Sequence, residues 1–138
     1  MATLQVRVVT PDGSVLDEEV ESVVLPAVEG EMEVLPGHIP MIVQVKPGEL
    51  RVRREGKYYE YAIGEGFAEI TGKQVSLATD TAVKESDINE KTVEEAIKRA
   101  EEAIRSQALK GEELEATQAV LARSLVQLHL KRRRAPRT

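Results

Sequence analysis

His38 is the side chain in the first half of the chain best suited to proton transfer. A catalytic histidine needs a nucleophile or an acid–base partner within hydrogen-bond reach. Around His38 there is no second histidine and no serine at triad-like spacing, and the chain has no cysteine. Two other roles remain open, namely a turn histidine whose ring binds local backbone and a surface contact residue. We therefore predict no catalytic residue.

Three glutamates, Glu29, Glu31 and Glu33, alternate just before His38. On a strand, this spacing places all three side chains on one face. Such a face is most often a solvated surface, and the alternative is a negative patch that meets basic loops of a partner. Hard cations require several converging oxygen ligands, and the sequence contains no EF-hand loop. We predict no metal site.

The Gly64-Glu65-Gly66 segment does not have the pattern of a phosphate-binding loop. It lacks a following Gly-Lys-Ser/Thr and opens no predicted helix. Glycines in strands more often allow close backbone packing or a bulge. The absence of cysteine also excludes disulfides and thiolate metal ligands. We therefore expect no bound cofactor.

The charge distribution is asymmetric along the 138 residues, whose formal net charge is −5. The last eight residues contain no acid and five bases, which are Lys131, Arg132, Arg133, Arg134 and Arg137. The remaining chain is therefore strongly acidic. An acidic body repels nucleic acid, whereas a basic tail attracts acidic surfaces.

From Thr3 to Val83 apolar residues recur with a period of two, which is typical of strands. Turn residues such as Pro11-Asp12-Gly13 and Glu55-Gly56-Lys57 interrupt the pattern at short intervals. This pattern predicts a β-sandwich or flattened barrel of about ten short strands. The predicted strands include Leu4–Val8, Val20–Leu25, Met41–Val45, Leu50–Arg53, Tyr58–Ile63, Phe67–Thr71 and Val75–Thr79.

After Lys84 the period becomes helical, and Ser86, Asp87 and Asn89 are suitable first residues. The first predicted helix buries a face that is rich in alanine and ends at Gly111. The second begins near Glu112, runs to about Lys131 and carries Leu114, Leu121, Leu125 and Leu128. We expect an antiparallel helical hairpin that packs weakly and is able to open, because alanine buries little apolar area.

The predicted fold class is therefore α+β, with a β-sandwich domain at residues 1–85 and a helical hairpin with a basic tail at residues 86–138. Within the first part, three motifs stand at fixed spacing: Gly30-Glu31-Met32, Pro36-Gly37-His38 and Pro40-Met41. Together they resemble the signature of the epsilon subunit of F-type ATP synthase. Further blocks resemble this family at residues 6–13, 24–26, 64–69 and 78–82. A β-sandwich followed by a helical hairpin is also the family's architecture.

The resemblance implies a non-catalytic rotor subunit in the central stalk of a proton-translocating ATP synthase. The β-sandwich would dock on the gamma subunit and rest on the ring of c subunits, coupling ring rotation to the catalytic head. The implied contact residues are Glu31, Gly37, His38, Pro40 and Met41. The chain would be peripheral on the cytoplasmic face of the cell inner membrane, with a thylakoid as the alternative. It would touch the membrane only through the complex.

The resemblance further implies that the second helix leaves the hairpin and inhibits ATP hydrolysis. Its basic groups would then meet acidic segments of the alpha and beta subunits. These groups are Arg123, Lys131, Arg132, Arg133 and Arg134. A solvated helix end that complements the helix dipole is the simpler interpretation of the same residues. The wider alternatives are a free-standing β-sandwich binding module with a basic helical tail, and a nucleic-acid-associated protein, which the acidic body disfavours.

A nucleotide motif of the family, Ile/Leu-Asp-x-x-Arg-Ala, is altered here. The matching positions begin at Ile88 and carry Asn89 in place of the aspartate and Thr92 in place of the arginine. Arg99 still stands where a second nucleotide-contacting arginine would fall. The motif is therefore degenerate, and nucleotide binding by these residues is doubtful.

We predict that the isolated chain binds ATP weakly or not at all. The loss of the guanidinium at position 92 removes a charge-assisted, forked hydrogen bond to phosphate or base. Calorimetric titration of the full chain with ATP is the direct measurement. A complex of micromolar or tighter affinity would contradict the prediction.

Overall fold

A computed structural model describes residues 2–106 and 108–134, the last of these by its backbone alone. Within them, ten strands precede two helices. The strands are β1 (Leu4–Thr10), β2 (Gly13–Val20), β3 (Ser22–Ala27), β4 (Gly30–Val34), β5 (Met41–Val45), β6 (Gly48–Arg54), β7 (Lys57–Ile63), β8 (Gly66–Ile70), β9 (Gln74–Thr79) and β10 (Ala82–Lys84). A 3-10 turn, Glu85–Asp87, leads to the helices α1 (Glu90–Arg105) and α2 (Glu112–Arg134).

The strands form one hydrogen-bonded sheet that folds into a nearly closed barrel or sandwich. The order is β10-β7-β6-β3-β5-β8-β9-β1-β2, with β4 on the remaining edge of β3. Nearly all neighbours are antiparallel, whereas β1 and β9 run parallel, with Val6 opposite Val75. The predicted fold class, a β-sandwich followed by two helices, is confirmed.

The core lies between the two layers and is built from the inward residues of the alternating strands. Burial of each such Val, Leu or Ile side chain stabilises the fold by about 1.5–3 kcal/mol. The largest buried residues of the layers include Leu4, Leu25, Leu50, Ile63, Ile70 and Leu77. This packing holds the sheet together independently of any ligand.

β3 is the strand at which the sheet changes layer. All six of its residues are buried, and its first half pairs with β6 while Ala27 pairs with Val45 of β5. Pro26 stands at this change of neighbour, and its carbonyl accepts a 2.9 Å hydrogen bond from the Lys46 amide. A Cβ on Gly48 would lie 2.7 Å from Cβ of Pro26, so only glycine fits beside the crossing.

Three features of the strands differ from the prediction. The predicted strand Val20–Leu25 is divided, because β2 ends at Val20 and β3 begins at Ser22. β2 itself was missed, since Asp17, Glu18 and Glu19 have low strand propensity. Its hydrogen bonds to β1 make it an edge strand in spite of this composition. The short β10 was missed as well.

The first helix begins as predicted and ends earlier. Asn89 caps α1 by accepting a 3.1 Å hydrogen bond from the Thr92 amide. The helix ends at Arg105, because the Ser106 hydroxyl donates to the Ala103 carbonyl at 2.8 Å and competes with the helical pattern. Gly111, with a φ of 59°, precedes α2 and does not terminate α1.

The helical hairpin packs on the outer face of β6 and β7. A second apolar cluster joins β7 to the helices through Ala62, Ile88, Val93, Ile97 and Leu130. Leu130 is fully buried although the heptad pattern did not include it, and Leu125, which it did include, is 48% exposed. The reason is that α2 contacts two surfaces, α1 and the sheet, so its buried positions do not follow one stripe.

The buried Tyr61 hydroxyl should make the stability of the fold sensitive to alkaline pH. Tyr61 is 5% exposed, and burial raises the pKa of its phenol above 10.0 because the phenolate is poorly solvated there. Its stabilising contribution is complete below pH 10.0 and is lost as pH rises through the higher folded pKa. We expect Tyr61→Phe to flatten the decline in unfolding free energy above this pH.

Urea denaturation between neutral pH and about pH 11 measures this slope. Tyr58→Phe is the matched control, because Tyr58 is exposed on the same strand. Equal slopes for the natural chain and Tyr61→Phe would show that the phenol does not contribute.

Candidate functional site

The loop between β4 and β5 holds most of the residues implied as contacts. Gly37 adopts a φ of +89° and donates its amide to the Gly72 carbonyl at 2.8 Å. The His38 amide donates to the Leu35 carbonyl at 3.1 Å, and its Nδ1 lies 2.7 Å from the Ile39 carbonyl oxygen. The ring thus acts as a donor to local backbone, and the loop is tied to the β8–β9 turn.

The same loop presents apolar side chains to solvent. Ile39 is 78% exposed, and Leu35, Pro40 and Met41 are also exposed. His38 is half-buried between them. Exposed apolar residues in such number at one end of a sandwich are typical of a contact surface.

A second apolar surface lies beside this loop, on the outer side of β5, β8, β9 and β1. We call it the apolar face and define it by Val9, Ile42, Phe67 and Ala78. Phe67 of β8 pairs with Ala78 of β9, and Ala78 pairs in turn with Val9 of β1. On its other side Phe67 pairs with Gln44 of β5, and Ile42 lies two residues before Gln44. Ile42 is 72% exposed and Phe67 60% exposed. These side chains line a shallow cleft.

The sequence analysis missed the apolar face. The available signal was Met41-Ile42-Val43, an apolar run in a strand whose outer position should be polar. The single phenylalanine of the chain, at an outward position of β8, was a second signal.

Glu31 belongs to the exposed acidic row on β4. Its Oε1 lies 2.9 Å from Nη2 of Arg51. Glu29, Glu31 and Glu33 are all exposed, and Glu31 and Glu33 alternate on the strand. Within the described residues, no group of three or more His, Asp or Glu side chains could hold a metal ion.

The altered nucleotide motif is divided between structural and exposed positions. Ile88 is buried in the second apolar cluster, and Asn89 is engaged as the cap of α1. Thr92 and Arg99 are exposed on α1. Arg123 on α2 pairs with Asp80 at 3.4 Å.

The basic end of α2 does not stand free in solvent. Arg132 lies 2.9 Å from Glu90 and 2.7 Å from Glu94, and these carboxylates raise its pKa by accepting hydrogen bonds. Arg133 pairs with Glu49 at 2.8 Å and with Glu60. Lys131 lies 3.6 Å from Glu85. The Arg134 side chain and residues 135–138 lie outside the described part of the chain.

Sequence reasoning expected these bases to be solvated or to bind another subunit. It could not pair them with Glu49, Glu60, Glu85, Glu90 and Glu94, because pairing depends on how the hairpin folds back.

No helix among the described residues is long and apolar enough to cross a membrane.

Comparison with known proteins agrees with this architecture. The family model "ATP synthase, Delta/Epsilon chain, beta-sandwich domain" matches residues 3–85. An ATP synthase epsilon chain of Herpetosiphon aurantiacus is 36% identical over 134 residues, covering 97% of this chain and 98% of the relative. An epsilon chain of Halorhodospira halophila is 38% identical over 132 residues, covering 93% and 92%.

A solved structure is similar as well. A chain in the mitochondrial ATP synthase of Euglena gracilis, a structure described as OSCP/F1/c-ring in rotational state 1, superposes with a TM-score of 0.74. It is 28% identical, and the match covers 91% of this chain and 79% of that one. The sequence motifs, the sandwich followed by a helical hairpin, and these full-length relatives lead to one conclusion: this chain belongs to the ATP synthase epsilon chain family.

Proposed function

We propose that the chain couples rotation of the c-subunit ring to the catalytic head of a proton-translocating ATP synthase, as a rotor subunit of the central stalk. As an epsilon chain it is a regulatory or structural subunit rather than a catalytic one. The apolar face is the observation that carries the proposal. It provides a docking surface for the gamma subunit without any need for a reactive group.

The apolar face has the composition of an interface centre. Phe67 and Ile42 are large, mostly exposed and adjacent to the small Ala78. Exposed patches of this kind are unfavourable in water and mark protein contacts. Aromatic residues in particular carry a large share of binding energy at interface centres.

The β4–β5 loop continues the contact toward the c ring in this proposal. Gly37, His38, Pro40 and Met41 lie in or next to the loop, and Glu31 lies on the preceding strand. The backbone bonds of Gly37 and His38 keep the loop attached to the sheet. A loop held in this way transmits force from the ring to the sandwich with little internal motion.

The two parts of the chain would have different tasks. In this proposal residues 1–85 form the coupling domain, and residues 86–138 form the helical hairpin that inhibits ATP hydrolysis. In the inhibitory state, Arg123 and the bases at the end of α2 would bind acidic segments of the alpha and beta subunits. The chain would be peripheral at the cytoplasmic face of the cell inner membrane and would reach the membrane only through the complex.

Removal of the Phe67 ring should weaken binding to the stalk. We expect Phe67→Ser to raise the Kd for a complex containing the gamma subunit by roughly tenfold, because an interface-centre aromatic contributes more than about 1 kcal/mol. Tyr58→Ser is the matched control, since Tyr58 is exposed on β7, away from the apolar face. Biolayer interferometry with the chain immobilised measures both variants. Equal losses for the two variants would argue against docking through this face.

The ATPase activity of the catalytic complex tests the division of tasks. We expect full-length chain to inhibit hydrolysis, and a version ending at Lys84 to bind without inhibiting, because the sandwich core does not include the helices. Equal activity with both versions, each shown to bind, would contradict the inhibitory role. Failure of both to bind would favour the free-standing binding module with a basic helical tail.

A further inference from the structure

The end of α2 contacts three other parts of the chain, which are the 3-10 turn, α1 and the sheet. Leu130 is fully buried in the second apolar cluster. Lys131 approaches Glu85 of the 3-10 turn, Arg132 reaches α1, and Arg133 reaches the sheet. Successive helical residues point about 100° apart, so neighbouring arginines can face different surfaces. This end of α2 is therefore fastened to all three parts.

Arg132 fastens α2 to α1. Its Nε lies 2.9 Å from Oε1 of Glu90, and its Nη2 lies 2.7 Å from Oε1 of Glu94. The two glutamates are one helical turn apart on the same face of α1. A planar guanidinium can bridge this spacing with two separate nitrogens, which the single ammonium of lysine does less well.

Arg133 fastens α2 to the sheet. Its Nη2 lies 2.8 Å from Oε1 of Glu49 on β6 and also pairs with Glu60 on β7. The Glu60 side chain is 6% exposed, and Glu49 Oε1 is buried without an aligned hydrogen bond from the described residues. If Arg133 left, two carboxylates in a partly dry site would lose a neutralising charge, which is much more costly than the loss of an exposed pair.

The rest of the hairpin is attached with fewer ion pairs among the described residues. In the middle of α2, Arg123 pairs with Asp80 at 3.4 Å, and both side chains are partly exposed. Apolar contact comes from Leu121, Val126 and Leu128 of α2, which are partly buried against the second apolar cluster. The ion pairs at the end of α2 add to this apolar packing, and they are the part of the attachment that salt and competing charges weaken.

We propose that Arg132 and Arg133 form an electrostatic latch, which holds α2 against α1 and the sheet and which salt or a competing acidic surface releases. Each guanidinium is engaged by two carboxylates of its own chain in the docked state. The same two groups cannot also bind acidic segments of another subunit. Docking and partner binding therefore exclude each other and form a two-state switch. This last consequence rests on the proposed function, whereas the latch itself does not.

Distance measurement on the isolated full chain tests the latch. The chain has no cysteine, so Lys73→Cys and His129→Cys, both at exposed positions, provide two unique sites for spin labels. Electron–electron resonance then gives the fraction of chains with α2 docked. Measurements at about 0.15 M and 1 M salt compare Debye lengths of about 8 Å and 3 Å.

We expect the double variant Arg132→Gln/Arg133→Gln to raise the ratio of released to docked chains about tenfold or more. Arg105→Gln, which removes a charge without an ion pair in the described chain, should leave the ratio unchanged. High salt should release α2 in the natural chain and have less effect in the double variant. A double variant that behaves like Arg105→Gln at both salt concentrations would overturn the latch.

Charge exchange separates the latch from a simple loss of helix stability. Arg132→Glu should release α2, and adding Glu90→Lys and Glu94→Lys should restore docking. Release without restoration would overturn the assignment of the ion pairs.

A second arm connects the latch to the proposed inhibition. Glu90→Gln/Glu94→Gln releases α2 but leaves both arginines available, so half-maximal inhibition of ATP hydrolysis should need a severalfold lower concentration of chain. If the distances shift and inhibition does not, the latch stands and the proposed inhibitory role fails.

Discussion

The arrangement of both functional surfaces depends on β3. This strand is buried along its whole length and changes partner from β6 to β5 near Pro26, where Gly48 permits the close approach. The change of partner turns one continuous sheet into two packed layers. One outer face, on β6 and β7, is then available to the helices, and the other, on β5, β8, β9 and β1, remains open. In the proposed function, one face holds the chain's own helices and the other is free for a partner.

The two faces differ in chemistry, and the difference fits the proposed function. The open face carries Ile42 and Phe67, which favour a permanent apolar contact. The covered face carries Glu49 and Glu60 around the small Ala62, so it holds α2 through the second apolar cluster and through charge. Ionic screening does not weaken apolar contacts, whereas it weakens ion pairs, for which other charges also compete. Under the proposed function, a single sandwich therefore combines a stable attachment on one side with a releasable attachment on the other.

Much of the fold follows from local patterns. The alternation along β6 and β9, the turn at Glu55-Gly56, the cap at Asn89 and the start of α2 at Glu112 were all predicted, because each depends on residues within one element. The errors concern places where distant contacts override local preference. β2 is a strand because β1 supplies its hydrogen bonds, and Leu130 is buried because a second surface lies beneath it.

The sequence by itself determined the two-part architecture, the strand alternation, the family motif around His38 and the separation of an acidic body from a basic end. Those features are properties of composition and spacing, which need no knowledge of distant neighbours. Only the tertiary structure decided that Ile42 and Phe67 share an exposed face. It also decided which acids pair with Arg132 and Arg133, the farthest being Glu49, 84 positions before Arg133. Ion pairs and surface patches join residues that chain folding brings together, so no local pattern contains them.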